Sequence, residues 1–211
     1  MESPAGPAPP LDRGYDQAVR GWAADDGVPA ELALAYDLAN TLDERVHGDY
    51  EPFDLFSDPT GLTRWLTRRK LLDRRGTTAT PADLALALRL REQVRDIAYA
   101  HGSARLTPDR LDRFAELASR LPLVAGLDPI GRLSLQPAVA GVPGALARVL
   151  ADALTAAGSG SWVRLKMCAA PDCQWVFYDQ CRPRTGRWCS MNSCGNRMKT
   201  RAYRARVRQG A

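Results

Sequence analysis

Apolar residues recur every three or four positions along most of the chain, the period of helices that bury one face. In "VPAELALAYDLANTLDERV" the positions Leu32, Ala35, Leu38, Leu42 and Val46 share a stripe, which predicts a first helix over roughly 30–46, closed by Gly48. Three further helices announce their own starts, because a capping side chain stands immediately before a proline whose fixed backbone suits the first turn. "SDPTGLTRWLTRRKLL" does so with Ser57 and Asp58 ahead of Pro59 and turns Leu62, Trp65 and Leu66 inward. "TPADLALALRLREQVRDIAYAHG" does so with Thr80 and Pro81 and places Asp83 in its first turn and His101 in its last, as the helix dipole favours. "LTPDRLDRFAELASRL" uses Thr107 and Pro108 and predicts Leu111, Phe114, Leu117 and Leu121 inside.

The period then changes. "PLVAGLDPIGRLSLQP" reads as a β-hairpin of Leu123–Leu127 and Arg132–Gln136 around a turn of Asp128, Pro129 and Gly131. An amphipathic helix over about 143–157 follows, with Leu146, Val149, Leu150 and Leu154 inside, and "GSG" at 158–160 breaks the chain. Beyond it the short β-prone runs Val163–Met167 and Gln174–Tyr178 flank a turn at Pro171 and Asp172, and a last helix runs toward the C-terminus. Its residues Met191, Cys194, Met198, Ala202 and Ala205 form one stripe, expected to pack on the knuckle. The pattern divides the chain into a Pro-rich segment 1–27, disordered or loosely docked, a helical unit 28–158 expected to fold by itself, and a C-terminal module 161–211. The class is mainly α with small β elements.

Composition is that of an ordinary soluble chain, 45% hydrophobic and 25% charged, and no run of about 20 apolar residues is present to span a bilayer. "MESPAGPAPPLDRG" lacks a signal-like basic start and apolar stretch, so a cytoplasmic protein with no membrane partner is expected. The net charge of +5 hides an asymmetry: no acid follows Asp179, whereas Arg182, Arg184, Arg187, Arg197, Lys199, Arg201, Arg204, Arg206 and Arg208 all do. An acidic body with a basic end points that end at a polyanion, and these nine residues are the candidate nucleic-acid contacts.

All five cysteines lie in "CAAPDCQWVFYDQCRPRTGRWCSMNSCGNR". Cys168 and Cys173 are separated by four residues, Cys189 and Cys194 again by four, with fifteen between the pairs, which is the arrangement of a closed four-thiolate structural zinc site. In a reducing compartment metal or redox chemistry is favoured over disulfides. The knuckle presents one pair, and Ser190 can cap the last helix so that Cys189 lies just outside it and Cys194 in its first turn. Cys181 is left over, a free thiol beside Arg182 and Arg184 that leaves a redox-responsive reading open. Neither histidine, His47 or His101, sits in a ligand pattern, and a structural role is expected for both. Nothing resembles a phosphate loop, a nucleophile elbow or a zinc-protease motif, so no enzyme is expected.

"CAAPDCQWVFYD…RWCSMNSCGNRMKTRAYRARV" closely resembles the CGNR zinc finger over about 45 residues, the motif being Cys194, Gly195, Asn196 and Arg197. The upstream "LAYDLANTLDER", "GLTRWL" and "LDPIGRLSL" resemble the ABATE domain, described as a stress-induced transcription regulator. The resemblance implies a treble-clef-like finger holding one structural zinc, in a bacterial DNA-binding regulator. The family commonly has a small polar residue where this chain has Cys181. On this reading the basic helix binds DNA, while the N-terminal domain senses a signal or forms a homodimer. Asn40, Thr41 and Trp65 are the candidate pocket for a small-molecule effector, with capping or hydrogen bonding to a neighbouring loop as the preferred alternative for Asn40 and Thr41. An RNA-binding or protein-interaction module is the alternative function.

Overall fold

The computed structural model describes residues 21–48, 50–72, 76–103 and 105–209. Most of the Pro-rich N-terminal segment therefore lies outside the described residues. Its end, residues 21–27, is a turn docked on the first helix, where Asp37 accepts from the backbone N–H groups of Trp22 at 2.9 Å and Ala23 at 3.1 Å.

Helix α1, Ala30–Ala39, is apolar on nearly every side and lies at the centre of the molecule. It stops well short of residue 46. The Asn40 side chain is taken by a distant strand, and Thr41 Oγ1 turns back to donate to the Leu38 carbonyl at 2.7 Å. Leu42–Asp43 (β1) instead pairs antiparallel with Phe53–Asp54 (β2), and Val46 is exposed. The apolar period past Thr41 is broken by this strand pairing, which leaves Leu42 half-buried and Val46 exposed.

Helix α2, Pro59–Arg68, starts as its sequence requires: Asp58 Oδ1 accepts from the Gly61 N–H at 2.8 Å, and Leu62, Trp65 and Leu66 are buried. Helix α3, Pro81–Ser103, begins with a reciprocal cap in which the Thr80 N–H donates to Asp83 Oδ2 at 2.8 Å and the Asp83 N–H to Thr80 Oγ1 at 3.2 Å. In α4, Pro108–Ser119, Leu117 is buried and so is Leu121 beyond its end, but Leu111 is exposed because α4 touches α3 only along one narrow edge. The hairpin pairs β3, Leu123–Leu127, with β4, Leu133–Pro137, one residue later than expected. Asp128 sets that register by accepting from the N–H groups of Ile130 at 3.0 Å and Arg132 at 2.9 Å. Helix α5, Gly141–Ser159, packs on α1 and on β4; its Leu146 and Val149 are buried while Leu154 is exposed.

After a single 3₁₀ turn, Trp162–Arg164, strands β5, Leu165–Met167, and β6, Val176–Tyr178, form an antiparallel hairpin. This hairpin lies against α1 and α3, and its Leu165 and Val176 belong to the same buried cluster as the helices. Asn40, fully buried, holds β6 from both ends of its amide: Nδ2 donates to the Val176 carbonyl at 2.9 Å, and Oδ1 accepts from the Val176 N–H at 3.0 Å. The last helix, α6, Asn196–Gln209, leaves the body after one π-helical turn, Met191–Gly195. No helix among the described residues is long and apolar enough to cross a membrane.

His101, in the last turn of α3, seals the α3–β5 contact. Its Nδ1 lies 2.9 Å from the Leu165 carbonyl, to which it must donate, and its ring meets Trp162 edge-on. Burial holds its pKa below the ordinary 6.5, outweighing the carbonyl. The folded state thus favours neutral His101, and its contribution is full above about pH 6.5 and shrinks as pH falls below it. We expect the melting temperature to drop between pH 7.5 and 5.5, and His101→Gln to flatten that part of the profile in a pH series of thermal melts.

Candidate metal centre and nucleic-acid interface

The β5–β6 hairpin carries the first cysteine pair at its tip. Cys168 follows β5, and its N–H donates to the Trp175 carbonyl at 2.8 Å; Ala170 accepts from the Cys173 N–H at 3.0 Å, closing a tight knuckle. Amides inside the knuckle turn toward the sulfurs, Ala170 to Cys168 and Trp175 to Cys173, and so favour thiolates. The second pair brackets the start of the last helix as expected, with Ser190 Oγ accepting from the Ser193 N–H, Cys189 outside and Cys194 within the first turn.

All four sulfurs lie within 4.8 Å of one another, and the Cys173–Cys189 and Cys189–Cys194 separations are both 3.7 Å. A tetrahedron with zinc–sulfur bonds of about 2.3 Å has edges of about 3.8 Å, so the cluster fits one zinc ion. Adjacent sulfurs without a cation oppose each other's ionisation. Hydrogen bonds from Cys173 and Cys189 draw the Cys168 thiol far down, and the same contacts push Cys173 and Cys189 up. Zinc removes that conflict, and four thiolates leave it no open position for water, so the ion would hold structure and catalyse nothing. Around the sulfurs pack Ala170, Trp175 and Phe177, with Met198, Trp188 and Trp22 at the edge. Cys181 is exposed and stands outside the cluster.

The CGNR letters acquire physical content here. Cys194 is a ligand. A Cβ on Gly195 would stand 2.7 Å from Met191 Sδ and 3.2 Å from the Trp188 ring, so a larger residue in the π-helical turn would have to displace the exposed Met191 side chain. Arg197 folds back into the finger, pairing with Asp172 in the knuckle and placing Nη2 3.4 Å from Cys194 Sγ. Of the nine cations expected at a nucleic acid, Arg197 is thus spent internally and half-buried, and the other eight are exposed.

Helix α6 projects freely. Met198 packs on the finger, but Ala202 and Ala205 are exposed, contrary to the stripe expected from their spacing, and Met191 is exposed too. A finger this small offers apolar surface to one helical turn only. Arg201 reaches Asp172 at 3.4 Å while remaining 58% exposed; Lys199, Arg204, Arg206 and Arg208 lie on the free length.

Arg182, Arg184 and Arg187 sit on a loop shaped by a buried pair that the sequence did not reveal. Asp179 Oδ2 accepts from Lys166 Nζ at 2.7 Å and from the Gly186 N–H at 2.9 Å, and Oδ1 accepts from the Cys181 N–H at 3.0 Å. Both side chains are buried. A Cβ on Gly186 would stand 2.5 Å from Asp179 Oδ1, which makes glycine a requirement of that closure.

Asn40, Thr41 and Trp65, the candidate effector residues, each meet partners of their own. All three are buried, Asn40 is committed to Val176, Thr41 to Leu38, and the Trp65 ring packs edge-on against Phe56. A cleft of about 460 Å³ lies where Leu42, Glu44, Arg91, Arg95, Asp96 and Tyr99 meet Met167 and Gln174 of the finger. Arg91 and Arg95 are an i,i+4 pair on α3, buried although charged: Arg91 is bidentate on Asp54 at 2.6 and 2.9 Å, and Arg95 pairs with Glu44. Two arginines four residues apart among the apolar positions of α3 were the available sequence signal.

A family model described as "CGNR zinc finger" matches residues 164–207, and one described as "Putative stress-induced transcription regulator", the ABATE domain, matches residues 32–159. Both are regulatory or zinc-finger families rather than families of enzymes. No curated protein matches the sequence.

Proposed function

We propose, for a chain that belongs to the ABATE family and ends in a CGNR zinc finger, that it is a transcription regulator whose zinc-anchored helix α6 binds duplex DNA. The observation that carries this is the free helix. Its 14 residues include no acid, its first turn is fixed to the finger by Cys194 and by the Arg197–Asp172 pair, and its remaining cations face solvent. At 1.5 Å per residue it is about 21 Å long, the dimension of a helix lying in a major groove. Arg182, Arg184 and Arg187 extend the positive surface, and contacts to phosphate would come from both. The cleft between α3 and the finger is where a small effector would act, since it borders both parts. The bacterial stress response and a dimeric state belong to the same proposal.

Fluorescence anisotropy with duplex DNA over a salt series tests it. About six phosphate contacts give a slope of log K against log salt near −5, and Arg204→Ala is expected to reduce its magnitude by about one. Arg197→Ala should instead weaken the finger itself. Salt-insensitive or undetectable binding to DNA, with tight salt-sensitive capture of single-stranded or duplex RNA in the same assay, would replace this reading by the RNA-binding one.

A further inference from the structure

Residues 43–47 leave β1 and cross from the helical body onto the zinc centre. Asp43 anchors this strap by accepting from Arg45 Nε at 2.8 Å, and the Arg45 guanidinium lies between two rings, 3.6 Å from the centre of Tyr50 and 4.0 Å from that of Trp175. The next residue reaches the knuckle, where the Val46 N–H donates to the Asp172 carbonyl at 3.4 Å. His47 follows, edge-on to Tyr50, with Nε2 3.6 Å from Cys194 Sγ.

Four thiolates around one zinc ion carry a net charge of −2, here in an apolar nest where Cys194 is fully buried. Hydrogen bonds to the sulfurs disperse that charge, and partners of this kind are worth about 10- to 100-fold in metal affinity. Arg197 is one donor to Cys194, but its charge is shared with Asp172. A zinc-bound thiolate can only accept, so an imidazole nitrogen facing it must present its proton. The geometry points to His47 as a hydrogen-bond donor to the zinc-bound Cys194 thiolate, delivered by the N-terminal domain, so that the zinc centre is completed across both domains. Zinc retention then depends on the strap, whose near end is also tied to the cleft through the Glu44–Arg95 pair. The inference concerns the metal alone and stands whatever α6 binds.

The test uses full-length zinc-loaded protein and two readouts: the rate of zinc transfer to a colorimetric chelator, and the sulfur-to-metal charge-transfer band of the cobalt(II)-substituted form. His47→Ala and His47→Phe are expected to release zinc about tenfold faster and to move the band to longer wavelength, because an unbonded thiolate is a better electron donor. Phenylalanine keeps the ring against Tyr50, so it separates loss of the donor from loss of packing. His47→Gln, which retains an N–H donor, is expected to return both readouts toward those of the unaltered chain. A His47→Phe protein with unchanged release rate and unchanged band would overturn the inference, whatever the alanine variant does.

Discussion

Replacing Cys173 by serine is expected to strip the chain of its zinc and to unfold residues 168–195. The knuckle and the start of α6 are joined by few backbone hydrogen bonds, and the apolar residues around the sulfurs are too few to form a core alone. In small modules of this kind metal binding is folding free energy, of the order of 10–16 kcal/mol at neutral pH. Loss of one thiolate should therefore remove far more than a contact. Elemental analysis should fall from one zinc per chain to a small fraction, and the amide signals of the finger should collapse in an NMR spectrum. The damage is expected to spread. β5 and β6 contribute Leu165 and Val176 to the main core, so the helical body should also melt at lower temperature. Cys181→Ser is the control: its thiol is exposed and outside the cluster, and zinc content should be unchanged. Zinc lost from Cys181→Ser but kept by Cys173→Ser would refute the ligand set.

Asp179→Ala has the second-largest expected effect. It leaves Lys166 buried without its counter-charge and strands the N–H groups of Cys181 and Gly186, and breaking a buried pair from one side costs about 3–5 kcal/mol. The midpoint of denaturant unfolding should fall accordingly while zinc remains bound, and trypsin should cut faster at Arg184 and Arg187. The pH dependence has a definite sign. Burial opposes ionisation of Asp179, but the Lys166 ammonium and the two amides outweigh it and hold the carboxyl below its ordinary range. Its stabilisation is therefore complete above the unfolded value of about 3.9 and is lost only as pH falls through the lower folded value. The gap between Asp179→Ala and the unaltered protein should be constant from pH 5 to 8. A gap that opened only above pH 7 would mean that the pair is not what the loop depends on.

The packing of the zinc hairpin bears on how the chain divides. A fragment ending at residue 158 would lack Leu165 and Val176 and leave the buried amide of Asn40 with no partner. We therefore expect residues 28–158 to be less cooperative in isolation than a self-contained domain, by calorimetry of the fragment against the full chain.

Which features were legible in the amino-acid order follows from how far apart the interacting groups are along it. The starts of α2 and α3 could be read because Asp58 caps Gly61 and Thr80 answers Asp83, each three residues away. The zinc ligands could be read because each pair is brought together by one turn, so that spacing alone encodes the chemistry. Only the tertiary structure decided the rest. The end of α1 was set by Asn40 bonding to Val176, 136 residues away, which outcompeted a helical period that ran on to Val46. The approach of His47 to Cys194 spans 147 residues, and the cleft exists only where α3 meets the finger. An apolar stripe records which side of a helix can be buried, and in α6 it overstated the case because, among the described residues, no second surface receives Ala202 and Ala205. Caps and knuckles fold against their own neighbours and so leave their partners in the local sequence, whereas a side chain that satisfies a distant backbone leaves no mark there until the chain has closed on itself.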